Sequence, residues 1–195
     1  MSQFNLFVLA FFSYAFAGQI WEIMLNKLQF GRWRYSGFLH LPIVPLYGFS
    51  ALMMVLVAQF LPRDPLMIFI FSCVAITFLE YFTSLILEKL FHRRWWDYRD
   101  TSIEIVKRYQ FEGRISLPVS LVWGILSLLV VYLLQPHIAH LAQASLARLG
   151  LWPCLVLLGL FAIDLVISIV LASRGRRQLS QKIMSRKDEN ANSRH

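Results

Sequence analysis

Five long apolar segments constrain what this chain can fold into. They cover residues 4–25, 43–61, 65–90, 115–134 and 151–172. Each has about the 17–25 residues that an α-helix needs to cross a bilayer. The chain is 57% hydrophobic and 15% charged, whereas soluble domains average about 45–50% apolar and about 25% charged residues. The sequence therefore predicts an all-α integral membrane protein, a bundle of about five transmembrane helices.

The ends of these segments predict the domain organisation. Residues 1–173 form a single transmembrane domain, and residues 174–195 form a basic tail that we expect to be disordered. The fourth span is expected to end at Gln135-Pro136, because proline interrupts a helix. A short amphipathic helix then lies flat at the interface up to Leu149.

The basic residues predict the orientation. If the C-terminus is cytoplasmic, 17 of the 19 Lys and Arg residues fall on the inner side, as the positive-inside rule requires. The N-terminus is then outside. The net charge of +8 sits beside apolar runs, which favours anionic lipid headgroups as partners and argues against nucleic acid.

Carboxylates within the spans predict a polar site. Glu80, Ser84 and Glu88 stand at i, i+4 and i+8 of the third span, so they share one helix face. Gly18 and Glu22 form a similar stripe on the first span, with Tyr14 one turn earlier. Charge inside a span is expensive and usually functional. Facing stripes would form a pocket open to the cytoplasm, and interhelical hydrogen bonding without any ligand is the equally weighted alternative.

A proline- and glycine-rich segment precedes the second span. Gly37, Pro42, Pro45 and Gly48, with Tyr47 between the last two, exclude a regular helix through this stretch. Irregular backbone at membrane depth must be buried in protein or line a wet cavity. A broken or re-entrant element and a tight interfacial turn are both compatible with the pattern.

The densest group of charged and aromatic residues follows the third span. Arginine binds phosphate through paired hydrogen bonds, and tryptophan stacks on cations. The group therefore predicts a headgroup-binding or anionic-substrate site, although part of it is an ordinary aromatic belt. Residues 101–111 are expected to form an amphipathic helix on the inner face. The members of the predicted site are Arg93, Arg94, Trp95, Trp96, Asp97, Tyr98 and, further along, Arg114.

Several of these motifs resemble one family. Gly37-Phe38-Leu39 with Pro45-Leu46-Tyr47-Gly48, Leu79–Ser84 with Arg94–Tyr98, and Gly113-Arg114-Ile115 are similar to three signatures of a bacterial membrane-protein family described as type IV ABC-transporter permeases. The match extends over about residues 18–124. The resemblance implies a transport component of the bacterial cytoplasmic (inner) membrane that works with a separate ATPase.

Three functions remain open from the sequence. A transporter or permease component is favoured by the membrane carboxylates and the resemblance. A membrane enzyme for a lipid-linked or phosphorylated substrate would use Glu80 or Glu88 as a base and the arginines to bind phosphate. A non-catalytic assembly partner would use the polar residues only for packing. No catalytic motif, cofactor or metal site is predicted, and no GxxxxGK[ST] phosphate loop is present.

Overall fold

The computed structural model of the chain describes residues 3–31, 33, 35, 37–62 and 64–192, without the side chains of residues 30 and 175–192. Four residues that enter the predicted charge distribution lie outside the described residues: Arg32, Arg34, Arg63 and Arg194. The elements in chain order are α1 (Gln3–Phe30), α2 (Pro45–Phe60), α3 (Pro65–Phe91), α4 (Glu104–Arg108), β1 (Gln110–Phe111), β2 (Ile115–Ser116), α5 (Leu117–Leu128), a π-helical segment (Leu129–Leu134), α6 (Gln135–Leu149) and α7 (Trp152–Asn192).

The apolar segments form helices, which confirms the all-α membrane class. In the described part of the chain, four helical stretches are long and apolar enough to cross a membrane: Gln3–Gln29, Pro65–Phe91, Leu117–Leu149 and Trp152–Arg174. Helix α2 has 16 residues, or about 24 Å of helix, which is less than the roughly 30 Å of hydrocarbon. The second predicted span is therefore a shorter apolar helix.

Prolines set where two of these helices begin. Pro45 and Pro65 each stand in the first turn, where the missing N–H has no intrahelical partner to lose. Asp64 caps α3 because its Oδ1 accepts a hydrogen bond from the backbone N–H of Leu66 at 2.8 Å. Helix α3 ends at Phe91, and the next residue, His92, adopts the left-handed conformation. The apolar segment at residues 65–90 thus lies within one continuous helix.

The helices pack in a defined order. Helix α1 packs on α2, α2 on α3, and α3 on α5, while α6 and α7 lie against α1. One apolar core joins α1, α2, α3 and α5 around Met54, Ile76 and Trp123. A second core joins α1 with α6 and α7 around Phe12 and Leu146.

The prediction that the fourth span ends at Gln135-Pro136 is wrong. The helix continues from Leu117 to Leu149 through the π-helical segment, and the N–H of Gln135 bonds to the carbonyl of Val130. The wider turn removes the clash that a proline ring would make in a regular helix. It also turns Gln135 toward α1, where its Oε1 accepts a hydrogen bond from Tyr14 Oη at 2.9 Å.

The segment before α2 is irregular, as predicted, and it is anchored to α7. The Asp164 carboxylate accepts hydrogen bonds from the backbone N–H groups of His40 and Leu41, both at 2.9 Å, and lies 3.1 Å from His40 Nδ1. Leu39 is buried in the core, and the N–H of Val44 bonds to Ala15 O on α1. Asp164 thus pairs the exposed backbone of the loop, as backbone at membrane depth requires.

Two predicted segments differ from the structure. The amphipathic helix expected over residues 101–111 is the five-residue α4, followed by the antiparallel pair β1–β2 around Gly113. Residues Gln110–Phe111 form strand pairs with Ile115–Ser116 and therefore cannot continue the helix. Where a disordered tail was predicted, the backbone of α7 continues to Asn192, consistent with a segment rich in good helix formers and free of proline.

Candidate functional site

Helix α3 presents one buried stripe to the bundle. Ile68, Ser72, Ile76, Glu80 and Ser84 repeat every four residues and are all buried. This is the face predicted from the spacing of Glu80, Ser84 and Glu88. Glu88 lies at the end of the stripe, where its side chain is about one-third exposed. The stripe therefore divides into a deep carboxyl and a carboxyl at the end of the helix.

Glu80 is the deep carboxyl. It is 2% exposed, and its Oε1 accepts a hydrogen bond of 2.5 Å from Tyr98 Oη. The indole of Trp123 on α5 lies beside the same carboxyl. In the described part of the chain, neither Glu80 Oε2 nor Trp123 Nε1 makes a hydrogen bond of good geometry. The indole N–H thus lies beside the carboxyl without an aligned hydrogen bond.

Glu22 on α1 reaches the same region through α2. Its Oε1 accepts a hydrogen bond of 2.7 Å from Tyr47 Oη, and the Tyr47 ring packs on Trp123 with centroids 5.2 Å apart. Gly18 makes this approach possible, because a Cβ there would lie 2.3 Å from Tyr47 Cγ. The predicted stripes of α1 and α3 do not pack directly on each other, since α2 lies between them.

Five segments of the chain therefore meet at one place. Glu22, Tyr47, Glu80, Tyr98 and Trp123 come from α1, α2, α3, the loop after α3, and α5, and we call them the carboxylate–aromatic cluster. Tyr98 and Tyr47 lie close enough to both carboxyls to interact with them electrostatically. The cluster lies toward the end of the bundle that contains α4 and the C-terminal ends of α1 and α3, which we call the basic end.

The predicted arginines form a different structure at the basic end. Arg94 Nε and Arg114 Nη2 both donate to Glu88 Oε2, at 3.0 and 2.5 Å. Arg94 also donates to Asp97 Oδ2 at 3.2 Å, and Arg99 Nε donates to Asp97 Oδ1 at 2.8 Å. We call this set of carboxylates and guanidinium groups the ionic network.

Arg114 is the most buried member of the ionic network. It is 6% exposed and contacts α3 twice, because Nη1 donates to Ser84 Oγ at 3.2 Å. Its Nε donates to Glu112 Oε2 at 3.2 Å, and its carbonyl accepts a hydrogen bond from Trp96 Nε1 at 2.9 Å. Arg114 therefore joins α3, the β1–β2 turn and the loop after α3.

The network places Tyr98 against Glu80. The N–H of Tyr98 donates to Gly113 O at 2.8 Å, and Arg94 donates to Glu112 O at 2.8 Å. Gly113 has φ +71°, and a Cβ there would lie 2.1 Å from Asp97 Oδ1. The turn between β1 and β2 is thus held tightly against the loop that carries Tyr98.

Arg93 and Trp95 are separate from both groups. The Arg93 guanidinium lies over the Trp95 ring, 5.6 Å from its centroid, and is exposed. Trp95 packs edge-on against Phe38 and Phe91. This arrangement fixes the loop after α3 to the segment before α2.

The proline and glycine residues predicted as a loop element before α2 determine how the chain packs there. Pro45 starts α2 and so places Tyr47 in its first turn. Gly48 is buried against α1, and a Cβ there would lie 2.9 Å from Phe11 O. Gly37 lies near Gln19 on α1. Pro42 is exposed beside an apolar crevice that it lines with α1 and α7.

Sequence reasoning missed Gln19 and Trp123. Gln19 is 1% exposed, and neither of its amide atoms has a hydrogen-bond partner among the described residues. A tryptophan in the middle of a predicted span, away from the membrane interface where it is usual, was the available signal for Trp123. The partner of Asp164 is also found only in the structure.

Acid should weaken the ionic network at one defined residue. The Arg99 guanidinium beside Asp97 holds the pKa of that carboxyl well below its usual range, which is near 3.9. The stabilisation is therefore fully present above about pH 5 and is lost as pH falls toward the lowered pKa. We expect the difference in apparent Tm between wild type and Asp97→Asn to narrow between about pH 5 and pH 2. A difference that stays constant over this range would contradict the assignment.

Comparison with known proteins gives one match. A family model with the description "Putative ABC-transporter type IV" matches residues 9–169, a range that includes all five residues of the carboxylate–aromatic cluster. No curated protein matches, and no solved structure matches. The match covers most of the chain, so this protein belongs to the type IV ABC-transporter family of membrane proteins.

Proposed function

We propose that this chain is a transmembrane component of a transporter in the bacterial cytoplasmic membrane, and that the carboxylate–aromatic cluster is its substrate-binding site. The observation that carries the proposal is the meeting of five chain segments at Glu80, a deeply buried carboxyl in a membrane helix. Ionisable side chains inside membrane domains are rare and mark substrate or ion pathways. Family membership supports transport as the process served by this site.

The basic end is proposed to face the cytoplasm. In this orientation 17 of the 19 Lys and Arg residues are cytoplasmic, which follows the positive-inside rule. Tyr98, at the end of the ionic network, then separates Glu80 from the cytoplasm. Movement of the loop that carries Tyr98 would open the site to that side.

A separate ATPase subunit is proposed to supply the energy. The chain has no phosphate-binding loop of the GxxxxGK[ST] type. Helix α4 and the β1–β2 turn project at the basic end, with exposed Ile105, Tyr109 and Phe111. Exposed apolar side chains of this kind suit a protein contact.

The enzyme alternative is less well supported by the geometry. Phosphate binding requires guanidinium groups that are free to make paired hydrogen bonds. Arg94 and Arg114 instead pair with Glu88, and Arg114 also pairs with Glu112. Assembly without a ligand would leave Glu80 as interhelical hydrogen-bond glue, and the following experiment separates that role from transport.

The test is purification of the full chain in mild detergent from its native membrane, followed by measurement of ATP hydrolysis in proteoliposomes. We expect an ATP-binding subunit to co-purify. Glu80→Gln should retain that subunit but lower the rate of ATP hydrolysis at least about tenfold. The physical reason is that a neutral amide cannot replace a charged hydrogen-bond partner.

The matched control is Asp64→Asn at the opposite end of α3. It makes the same change from carboxylate to amide, and asparagine preserves the helix cap. Hydrolysis should remain at the wild-type rate in this variant. Failure of any ATP-binding subunit to co-purify, or wild-type hydrolysis in Glu80→Gln, would contradict the proposal.

A further inference from the structure

The carboxylate–aromatic cluster contains two acidic side chains without a basic partner. It contains the carboxyl groups of Glu22 and Glu80, and within the described residues no lysine, arginine or histidine forms a salt bridge with either. The nearby guanidinium groups of Arg94 and Arg114 are paired with the carboxylates of the ionic network. A carboxylate removed from water is strongly unfavourable unless a cation or hydrogen-bond donors compensate it. A cation bound at the cluster would provide this compensation.

Buried polar atoms at the cluster lack well-aligned hydrogen bonds. Among the described residues, neither Glu80 Oε2 nor Trp123 Nε1 makes a hydrogen bond of good geometry, although the Trp123 indole lies beside the Glu80 carboxyl. Both residues are more than nine-tenths buried. Buried polar groups in native proteins are nearly always hydrogen-bonded. A bound group with N–H or O–H donors would therefore satisfy the second oxygen of Glu80.

Aromatic rings complete the same surface. Tyr47 and Trp123 pack at 5.2 Å, and each contacts one of the two acidic side chains. The face of an aromatic ring attracts a cation within about 6 Å, most strongly when water is excluded. Two carboxylates beside two such rings favour an organic cation over a strongly hydrated inorganic one.

We propose that the carboxylate–aromatic cluster binds a primary ammonium group of the transported molecule. A primary ammonium has three N–H donors and can satisfy Glu80 Oε2, whereas a quaternary ammonium has none. The inference rests on the proposed function, because it names the substrate class of the same site.

Two sources of this chemistry are distinguishable. The ammonium group belongs either to a soluble amine that enters from the basic end or to the headgroup of an aminophospholipid. Both present the same N–H donors to Glu80. A binding measurement in two lipid environments separates them.

The test is calorimetric titration of the full-length protein in detergent at pH 7 with ethanolamine and, separately, with tetramethylammonium. We expect saturable binding of ethanolamine and at least about tenfold weaker binding of tetramethylammonium. Glu80→Gln and Glu22→Gln should each weaken ethanolamine binding at least about tenfold, the size expected for one charged hydrogen bond. Asp64→Asn should bind as the wild type does.

The titration is repeated in phosphatidylcholine nanodiscs with and without phosphatidylethanolamine. Loss of ethanolamine binding only where phosphatidylethanolamine is present identifies the lipid headgroup as the ligand. Equal binding in both identifies a soluble amine. Either outcome supports an ammonium site.

Other results would overturn the inference. Equal affinity for ethanolamine and tetramethylammonium, no measurable binding of ethanolamine, or unchanged binding in both glutamine variants excludes a primary ammonium site. Size-exclusion elution of each variant confirms that it is folded, and Glu22→Gln keeps the test decisive if Glu80→Gln aggregates. If an ATP-binding subunit co-purifies but ethanolamine does not bind, only this inference is refuted. If ethanolamine binds but no ATP-binding subunit co-purifies, only the proposed function is refuted.

Discussion

Replacement of Arg114 by methionine is expected to lower the apparent Tm of the detergent-solubilised protein by roughly 5–10 °C. Arg114 is buried and pairs with Glu88 and Glu112, so its loss leaves two carboxylates with fewer positive partners. Methionine has a similar length and apolar surface, so the change removes mainly charge and hydrogen bonds. The measurement is the fraction of protein that remains soluble and folded after heating to a series of temperatures at pH 7, as detected by size-exclusion chromatography.

A matched control and a rescue make this prediction specific. Arg108→Met removes the same charge from exposed helix α4, where the guanidinium lies over the Tyr109 ring, and should change the apparent Tm by little. Glu88→Gln added to Arg114→Met should recover part of the loss, because the side chain that has lost Arg114 and keeps only Arg94 is then neutral. If the Arg108 and Arg114 variants are equally stable, the ionic network does not hold the basic end together.

Gly113→Ala is expected to have the second large effect. Gly113 has φ +71°, a conformation that costs an L-residue about 1–2 kcal/mol. The added Cβ would also meet Asp97 Oδ1 and Cγ at 2.1 and 2.8 Å, so the loop must move away from the turn. We expect the apparent Tm to fall by about 8 °C or more, and the hydrogen bond from Tyr98 to Glu80 to weaken with it.

Gly31, which follows the C-terminal end of α1, supplies the control for backbone strain alone. It has φ +68°, and a Cβ there would meet nothing within 4 Å. Gly31→Ala should therefore show only the cost of a positive φ, a fall of about 2–6 °C. Equal losses in the two alanine variants would show that contact with Asp97 contributes nothing.

The fold could be predicted where local rules decide it. Apolar run length located the helices, and the third apolar segment begins at Pro65, as helix α3 does. The same reliance on local rules failed at Pro136, because a π-helical segment absorbs the proline and lets the helix run on to Leu149. It failed again after Tyr109, where pairing between β1 and β2 replaces the predicted helix.

The candidate site could be predicted only in its parts. Helical periodicity put Glu80 and Ser84 on one buried face of α3. It also grouped Glu88 with them, although Glu88 joins the ionic network in the structure. The arginines look free in the sequence, and only their partners across the fold show that they are paired.

The sequence by itself determined a membrane-embedded helical protein with buried carboxyl groups, because hydropathy and helical period act over a few neighbouring residues. The tertiary structure alone decided which groups meet. Asp164 contacts the loop at His40, 124 residues away in sequence, and Tyr98 closes over Glu80 only because Arg114 and Gly113 hold its loop in place. Such contacts depend on how separate helices pack, and no local pattern encodes them.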